Sequence, residues 1–249
     1  MKSYTINLKR CVDRREYITN QLNLLSFVNN EFIEGVDGSL LSPDELSVFK
    51  QDIAMRRYGR RLKLGEIGCT LSHRRCYETL LQSTDKSVIL FEDDILVRNT
   101  EADTWQTLVD YIENTEEPTV ILISGGWWSY GTKRGPLDLK KVYSAYYTHS
   151  YIINRAGAEL LLSIPASYLA DDWRMFRRQG LKLLAVKPHL VDQQWDGTVP
   201  SMIQNEAKHW FDSLSLKYKL KSYLKDIPSK LLGVLGLHEP DSFDNYSQI

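Results

Sequence analysis

Three consecutive carboxylates, Glu92, Asp93 and Asp94, close the apolar run Ser87-Val88-Ile89-Leu90-Phe91. An apolar run without polar alternation predicts a central strand covered on both faces. Carboxylates at the carboxyl end of such a strand occupy the edge where open α/β sheets bind ligands. Oxygen donors in this number suit Mg²⁺ or Mn²⁺, ions that bridge nucleotide phosphates. Side chains alternate along an extended chain, so Glu92 and Asp94 form the candidate metal pair. Asp93 then faces the other way, toward a ribose or a donor sugar. A solvent-facing acidic turn is the plainer alternative, and the surrounding motifs weigh against it.

Further along, Asp171 and Asp172 open a helical stretch after Pro165. A carboxylate there is a candidate general base for an incoming hydroxyl, with helix N-capping the alternative for either residue. At the start of the chain, Ile6-Asn7-Leu8 runs into a basic loop and a helix carrying Arg14 and Arg15. Free N–H groups, the helix dipole and two guanidinium groups together make an anion site. His73 shares a helix face with Cys69, Cys76 and Leu80. A zinc site from the two thiols and the imidazole lacks a fourth ligand, and a buried, hydrogen-bonded histidine beneath the site is preferred. Trp127 and Trp128 follow a strand end and a glycine pair, where an indole can stack on a sugar, with core packing the alternative. His189, in a strand-end loop, is a weaker candidate for a third metal ligand.

The elements that must position these groups follow from periodicity. Strands are expected at Tyr4–Leu8, Phe27–Val36, Val88–Phe91, Thr119–Ser124, in two pieces over Val142–Asn154, and last at Leu181–Val186. Helices are expected at Arg14–Leu25, Asp44–Phe49, Gly65–Leu81, Thr104–Ile112, Arg155–Ser163 and Asp171–Gln179. This alternation predicts an α/β domain over residues 1–205, a mixed, mostly parallel sheet covered by helices. Residues 206–249 form a basic, amphipathic C-terminal helical tail. Its lysines interleave with Trp210, Phe211, Leu214 and other apolar residues. Such a stretch lies on an anionic membrane surface or docks on the domain, and the two readings carry equal weight.

The 249 residues are 43% hydrophobic and 25% charged, ordinary for a globular protein, and the net charge of -1 gives no reason to expect nucleic acid. Three cysteines give no disulfide framework and suit a reducing compartment. No signal-like or membrane-spanning run is visible, so the expected address is cytoplasmic, peripheral on the inner membrane if the tail binds lipid.

Four ordered motifs resemble glycosyltransferase family 25, the lipooligosaccharide-type glycosyltransferases. They are Ile6-Asn7-Leu8 with Arg14 and Arg15; Val36-Asp37-Gly38; Gly65-Glu66-Ile67-Gly68-Cys69 with Ser72-His73; and Glu92-Asp93-Asp94. Tyr151–Leu161 resembles a later family stretch, with Asn154 where the family carries serine. The resemblance implies a GT-A fold and an inverting transfer from a nucleotide sugar, UDP-galactose by family habit, to a lipooligosaccharide or other surface glycan or glycolipid. It implies Asn7, Arg14, Arg15, Asp37, Gly65, Ser72, His73 and Asp93 near the UDP-hexose donor, and favours Asp171 over Asp172 as base. A catalytically silent glycan-binding or scaffold homologue is the rival reading. A Mg²⁺-dependent nucleotidyl- or phosphotransferase ranks below it, for want of a Gly-rich phosphate loop.

Overall fold

The computed structural model describes residues 1–130, 138–194 and 214–240. In chain order its elements begin with β1 (Lys2–Asn7), α1 (Val12–Leu22) and β2 (Asn29–Glu34). A 3-10 turn (Gly38–Leu40), α2 (Pro43–Ser47), α3 (Gln51–Tyr58) and α4 (Leu64–Gln82) follow. Then come β3 (Ser87–Glu92), β4 (Ile95–Val97), α5 (Ala102–Glu113), β5 (Thr119–Leu122) and β6 (Trp127–Ser129). The order continues with β7 (Lys140–Ala145), β8 (Ser150–Asn154), α6 (Arg155–Ser163), α7 (Trp173–Arg178) and β9 (Lys182–Ala185). It closes with β10 (Val191–Gln193), α8 (Leu216–Val234) and β11 (His238–Glu239).

Nine of the strands form one mixed sheet in the order β11-β6-β7-β9-β5-β8-β3-β1-β2. Strands β1, β2, β3, β5, β6 and β9 run one way, and β7, β8 and β11 run the other. The expected covered α/β sheet is therefore present, with an antiparallel β8 inserted at its centre between β3 and β5. That insertion fits the chain logic, because β8 begins at the edge where β3 and β5 end.

The central strands show why their sequences lack polar alternation. On β3, Val88 and Leu90 enter a core with Tyr77 and Leu80 of α4 and Leu161 of α6. Their neighbours Ile89 and Phe91 enter a second core on the opposite face, with Ile18 of α1 and Trp105 and Ile112 of α5. Burying each such side chain contributes about 1.5–3 kcal/mol, so the middle of the sheet forms a rigid base for whatever its carboxyl edge carries.

The last sheet strand is not Leu181–Val186 as expected. The short β10 pairs with β4 in a separate ribbon, and β11 adds an edge strand beside β6, His238 opposite Trp128. Strands of two or three residues are too brief for alternation to register in a sequence. Helix α3 was also not anticipated. It ends at Gly59, whose left-handed φ of 74° suits a residue without Cβ. The boundary expected near residue 205, with Trp210 and Phe211, lies outside the described residues. None of the described helices is long and apolar enough to cross a membrane.

Candidate functional site

Parallel pairing of β1 and β3 sets Ile6 opposite Glu92, so the ends of the two strands meet at one edge of the sheet. Asn7 donates from Nδ2 to Asp93 Oδ2 at 2.7 Å across a separation of 86 residues. Arg14, on the first turns of α1, reaches the same cluster and pairs with Asp93 and, at 2.9 Å, with Asp94. Gln193 on β10 donates to Asp94 Oδ2. Two buried polar atoms in this cluster keep no partner among the described residues, Arg14 Nε and Asp94 Oδ1. A buried orphan costs about 1–3 kcal/mol unless a bound group completes it. Burial raises Asp93 to about 6, against the opposing pull of Arg14 and Asn7.

Glu92 faces a different neighbourhood. Its Oε1 meets His73 Nε2 at 3.3 Å and accepts from the hydroxyl of Thr148. Burial alone would raise this carboxyl, yet the contacts with His73, His149 and Thr148 outweigh it and hold Glu92 below the usual carboxylate range. His73 is 2% exposed and bonds Tyr151 through Nδ1, and Tyr151 in turn meets Tyr77. The buried, hydrogen-bonded histidine is thus the arrangement present. Cys69, His73 and Glu92 bring one ligand atom each within 4.8 Å of one another. Cys76 instead lies in the apolar core, so the two-thiol zinc grouping does not form.

Asp171 and Asp172 divide cleanly. Asp172 caps α7 by accepting from the Met175 N–H, and its two oxygens take a bidentate pair from Arg57 at 2.6 Å each plus the Tyr58 hydroxyl. Burial would raise it, but Arg57 and Tyr58 keep it below its ordinary value. Among the described residues Asp171 has no such cation. Burial first, and the charge of Asp172 second, push it up to about 6, opposed by the backbone N–H of Tyr147. Its charge is felt at Cys69 together with those of Glu92 and Asp94. Burial and these carboxylates raise the Cys69 thiol well above its ordinary value. Cys69 is therefore near enough to Glu92, Asp94 and Asp171 to feel the charge of each, although these residues are far apart in sequence.

The segment that joins them was not anticipated. Tyr147 holds a left-handed φ of 73°, unusual for a bulky residue. Its N–H serves Asp171, its carbonyl accepts from Trp173 Nε1 at 2.7 Å, and its ring stacks on His149 with centroids 4.6 Å apart. Thr148, next in line, holds Glu92. The available signal was the polar, aromatic break Tyr146-Tyr147-Thr148-His149 between the two strand pieces.

The remaining expected residues sort by what they touch. Ser72 accepts from the Val36 N–H at 2.8 Å and donates to the Gly68 carbonyl at 2.7 Å. A Cβ on Gly68 would lie 2.5 Å from the Val36 carbonyl, and one on Gly38 only 1.7 Å from that of Leu64. The turn at Val36–Gly38 and the first turns of α4, which include Gly65, therefore pack backbone against backbone. Asp37 caps the 3-10 turn and pairs with Arg10. A cleft of about 430 Å³ opens there, lined by Lys9, Arg10, Asp37 and Arg75.

Three placements correct the expectations. Arg15 does not join Arg14 but stacks on Phe32 at 4.0 Å on exposed α1 surface, because adjacent helix positions point apart. Trp127 is 1% exposed and belongs to the core, so it offers no face to a sugar, whereas Trp128 stacks on His238. Both ring nitrogens of His189 are engaged, with Glu239 at 3.0 Å and Asp192 at 2.6 Å, leaving none for a metal.

The model of glycosyltransferase family 25 (LPS biosynthesis protein) matches residues 1–135, which hold all four ordered motifs, the acidic cluster among them. The chain belongs to glycosyltransferase family 25. A probable inactive glycosyltransferase 25 family member 3 of Bos taurus is 25% identical over 168 residues, covering 64% of this chain and 28% of its own. A putative glycosyltransferase of Acanthamoeba polyphaga mimivirus is 24% identical over 251 residues, covering 92% and 75%. Procollagen galactosyltransferase 2 of Homo sapiens is 25% identical over 221 residues, covering 76% and 34%. This family 25 chain thus spans about a third or less of the length of the bovine and human relatives.

Proposed function

We propose that this family 25 protein transfers a hexose from a nucleoside-diphosphate sugar to a glycan hydroxyl, with inversion at the anomeric carbon. The observation that carries the reading is an acidic cluster holding Arg14 together with a raised carboxylate, Asp171, the two tied by consecutive residues: the Tyr147 N–H serves Asp171 and the Thr148 hydroxyl serves Glu92. Asp171 accepts the hydroxyl proton as the acceptor oxygen bonds to the anomeric carbon and the bond to the diphosphate breaks. A base with a pKa near 6 is ionised at neutral pH and still takes up a proton as the hydroxyl is lost. Arg14 sits where negative charge collects on the departing diphosphate, and its orphaned Nε supplies a further donor. The cleft beside it, lined by Lys9, Arg10 and Arg75 and by Glu34, Asp37 and Glu45, offers cationic donors for the rest of the nucleotide.

The donor set also fits a divalent ion, because Asp94 Oδ1 is a buried oxygen without a partner among the described residues, two positions along the chain from Glu92. Glu92 and Asp94 would hold Mn²⁺ or Mg²⁺, which supplies Lewis-acid stabilisation of the diphosphate. Galactose is the proposed sugar, supported by the galactosyltransferase among the relatives, and UDP is the proposed carrier. A bacterial surface glycan or glycolipid is the proposed acceptor. The free cysteines support a reducing, cytoplasmic setting.

A silent homologue is the second reading, favoured by the name of the bovine relative. One experiment separates the two. Hydrolysis and transfer are measured across a panel of nucleotide sugars, with Mn²⁺, with Mg²⁺ and with chelator, for the native protein and Asp94→Ala. Turnover with one donor, lost in chelator and in Asp94→Ala, is expected. Binding of UDP without turnover of any donor would establish the silent reading, and full activity in chelator would remove the ion.

A further inference from the structure

Helix α8 presents to solvent the side that an amphipathic helix ordinarily buries. Leu216, Leu220, Leu224, Ile227, Leu231 and Val234 all lie on its exposed side, with Leu216 82% and Val234 85% exposed. At 3.6 residues per turn these positions share one stripe about 100° wide. The contacts with the domain come from the opposite side. Tyr218 fills the space over Gly59, where a Cβ would meet its ring at 2.5 Å, and Ser229 is buried. Lys221 Nζ bonds the Arg56 carbonyl at 3.3 Å, and Arg174 donates to the Lys225 carbonyl at 3.0 Å. The helix is held by its polar side while its leucines face outward.

We propose that α8 is an interfacial helix that lays this stripe on an anionic phospholipid surface. Charge selects the occupant. Lys217 borders one edge of the stripe and Lys219 and Lys230 the other, and α8 carries five lysines against the single acid Asp226. A basic rim around an apolar stripe matches lipid headgroups over acyl chains. A second copy would instead bring lysine rim against lysine rim. The proposal does not depend on the transfer reaction. The helix nonetheless lies beside Asp172 through Arg57 and Arg174, so lipid contact would set the Asp171 side of the molecule toward the membrane.

Co-sedimentation of the full chain with sucrose-loaded vesicles tests this, using phosphatidylcholine alone and a 3:1 mixture with phosphatidylglycerol. The native protein should bind the mixed vesicles strongly at low salt and retain part of that binding at 0.5 M salt. Joint Leu220→Ser, Leu224→Ser and Ile227→Ser should remove the salt-resistant part. Each of Lys217→Ala and Lys230→Ala should weaken low-salt binding roughly fivefold. These five side chains are exposed, so the melting temperature should hold. Should the serine variant fail to fold, Leu224→Trp replaces it, and its emission should shift to the blue when mixed vesicles are added. Absent binding to mixed vesicles at low salt, unchanged binding of the serine variant, or unshifted tryptophan emission would overturn the proposal. So would a micromolar dimer in light scattering that the serine variant abolishes.

Discussion

Replacing Asp171 with Asn should make the protein inactive and more stable at once, and only above a certain pH. Burial raises this carboxyl from 3.8 to about 6, so the folded state holds its proton more tightly than the unfolded chain. Below pH 4 the group is neutral in both states and Asn has nothing to relieve. As pH rises through 4 to 6 the native protein loses that advantage, because it must ionise a carboxylate in a place that disfavours charge. A shift of about two pKa units corresponds to a ceiling of about 3 kcal/mol, and partial contact with solvent lowers the expectation to roughly 1–3 kcal/mol. In a chain of this size each kcal/mol moves Tm by about 2–4 °C. Melting curves at pH 3.5 and pH 8 should therefore coincide for Asp171→Asn and native protein at the lower pH, and separate by roughly 2–12 °C in favour of Asn at the higher. Transfer should fall at least ~100-fold while UDP affinity is retained, because a base acts on the acceptor. In the native enzyme, kcat/KM should rise with pH through an apparent pKa near 6. An Asn variant that melts lower than native at pH 8, or that keeps its activity, would refute both the buried-charge argument and the assignment of the base.

Asp172→Asn should do the reverse, losing about 2–4 kcal/mol at neutral pH because Arg57 is left with a weaker partner. Since Asp172 is held below its ordinary pKa, the native advantage should fade as pH falls through the acid range, which urea titrations at pH 7 and pH 3 would show. Gly68→Ala should cost about 1–3 kcal/mol and displace the Val36–Gly38 turn, visible as lost UDP binding in calorimetry before any loss of helix signal. Asn154→Ser should restore the family residue yet destabilise by about 2–3 kcal/mol. Asn154 accepts from the N–H groups of Thr119 and Gly157 and donates to the carbonyls of Thr115 and Glu117, a set that a hydroxyl cannot span. Thermal melting compares the two directly.

Much of this protein is written in local patterns. The unbroken run at Val88–Phe91 announces a strand buried on both faces, because only such a strand needs no polar side. Acids placed just after it must lie at the carboxyl edge. The motif glycines at 38 and 68 were legible as motif members, but their reason, two backbones in contact, appears only when the turn and α4 are packed together. The choice between Asp171 and Asp172 was left to resemblance, because both follow the same proline and precede the same helix. Tertiary structure gives the two different environments. A cation 115 residues away neutralises one, and burial isolates the other. Long-range placement likewise separates Arg14 from Arg15, buries Trp127 and engages both nitrogens of His189. The tail marks the sharpest limit. Its amphipathic spacing is plain in the sequence, but periodicity gives a helix two faces without saying which is turned inward. Only packing against Gly59, Arg56 and Arg174 shows that the polar side is the one held by the domain.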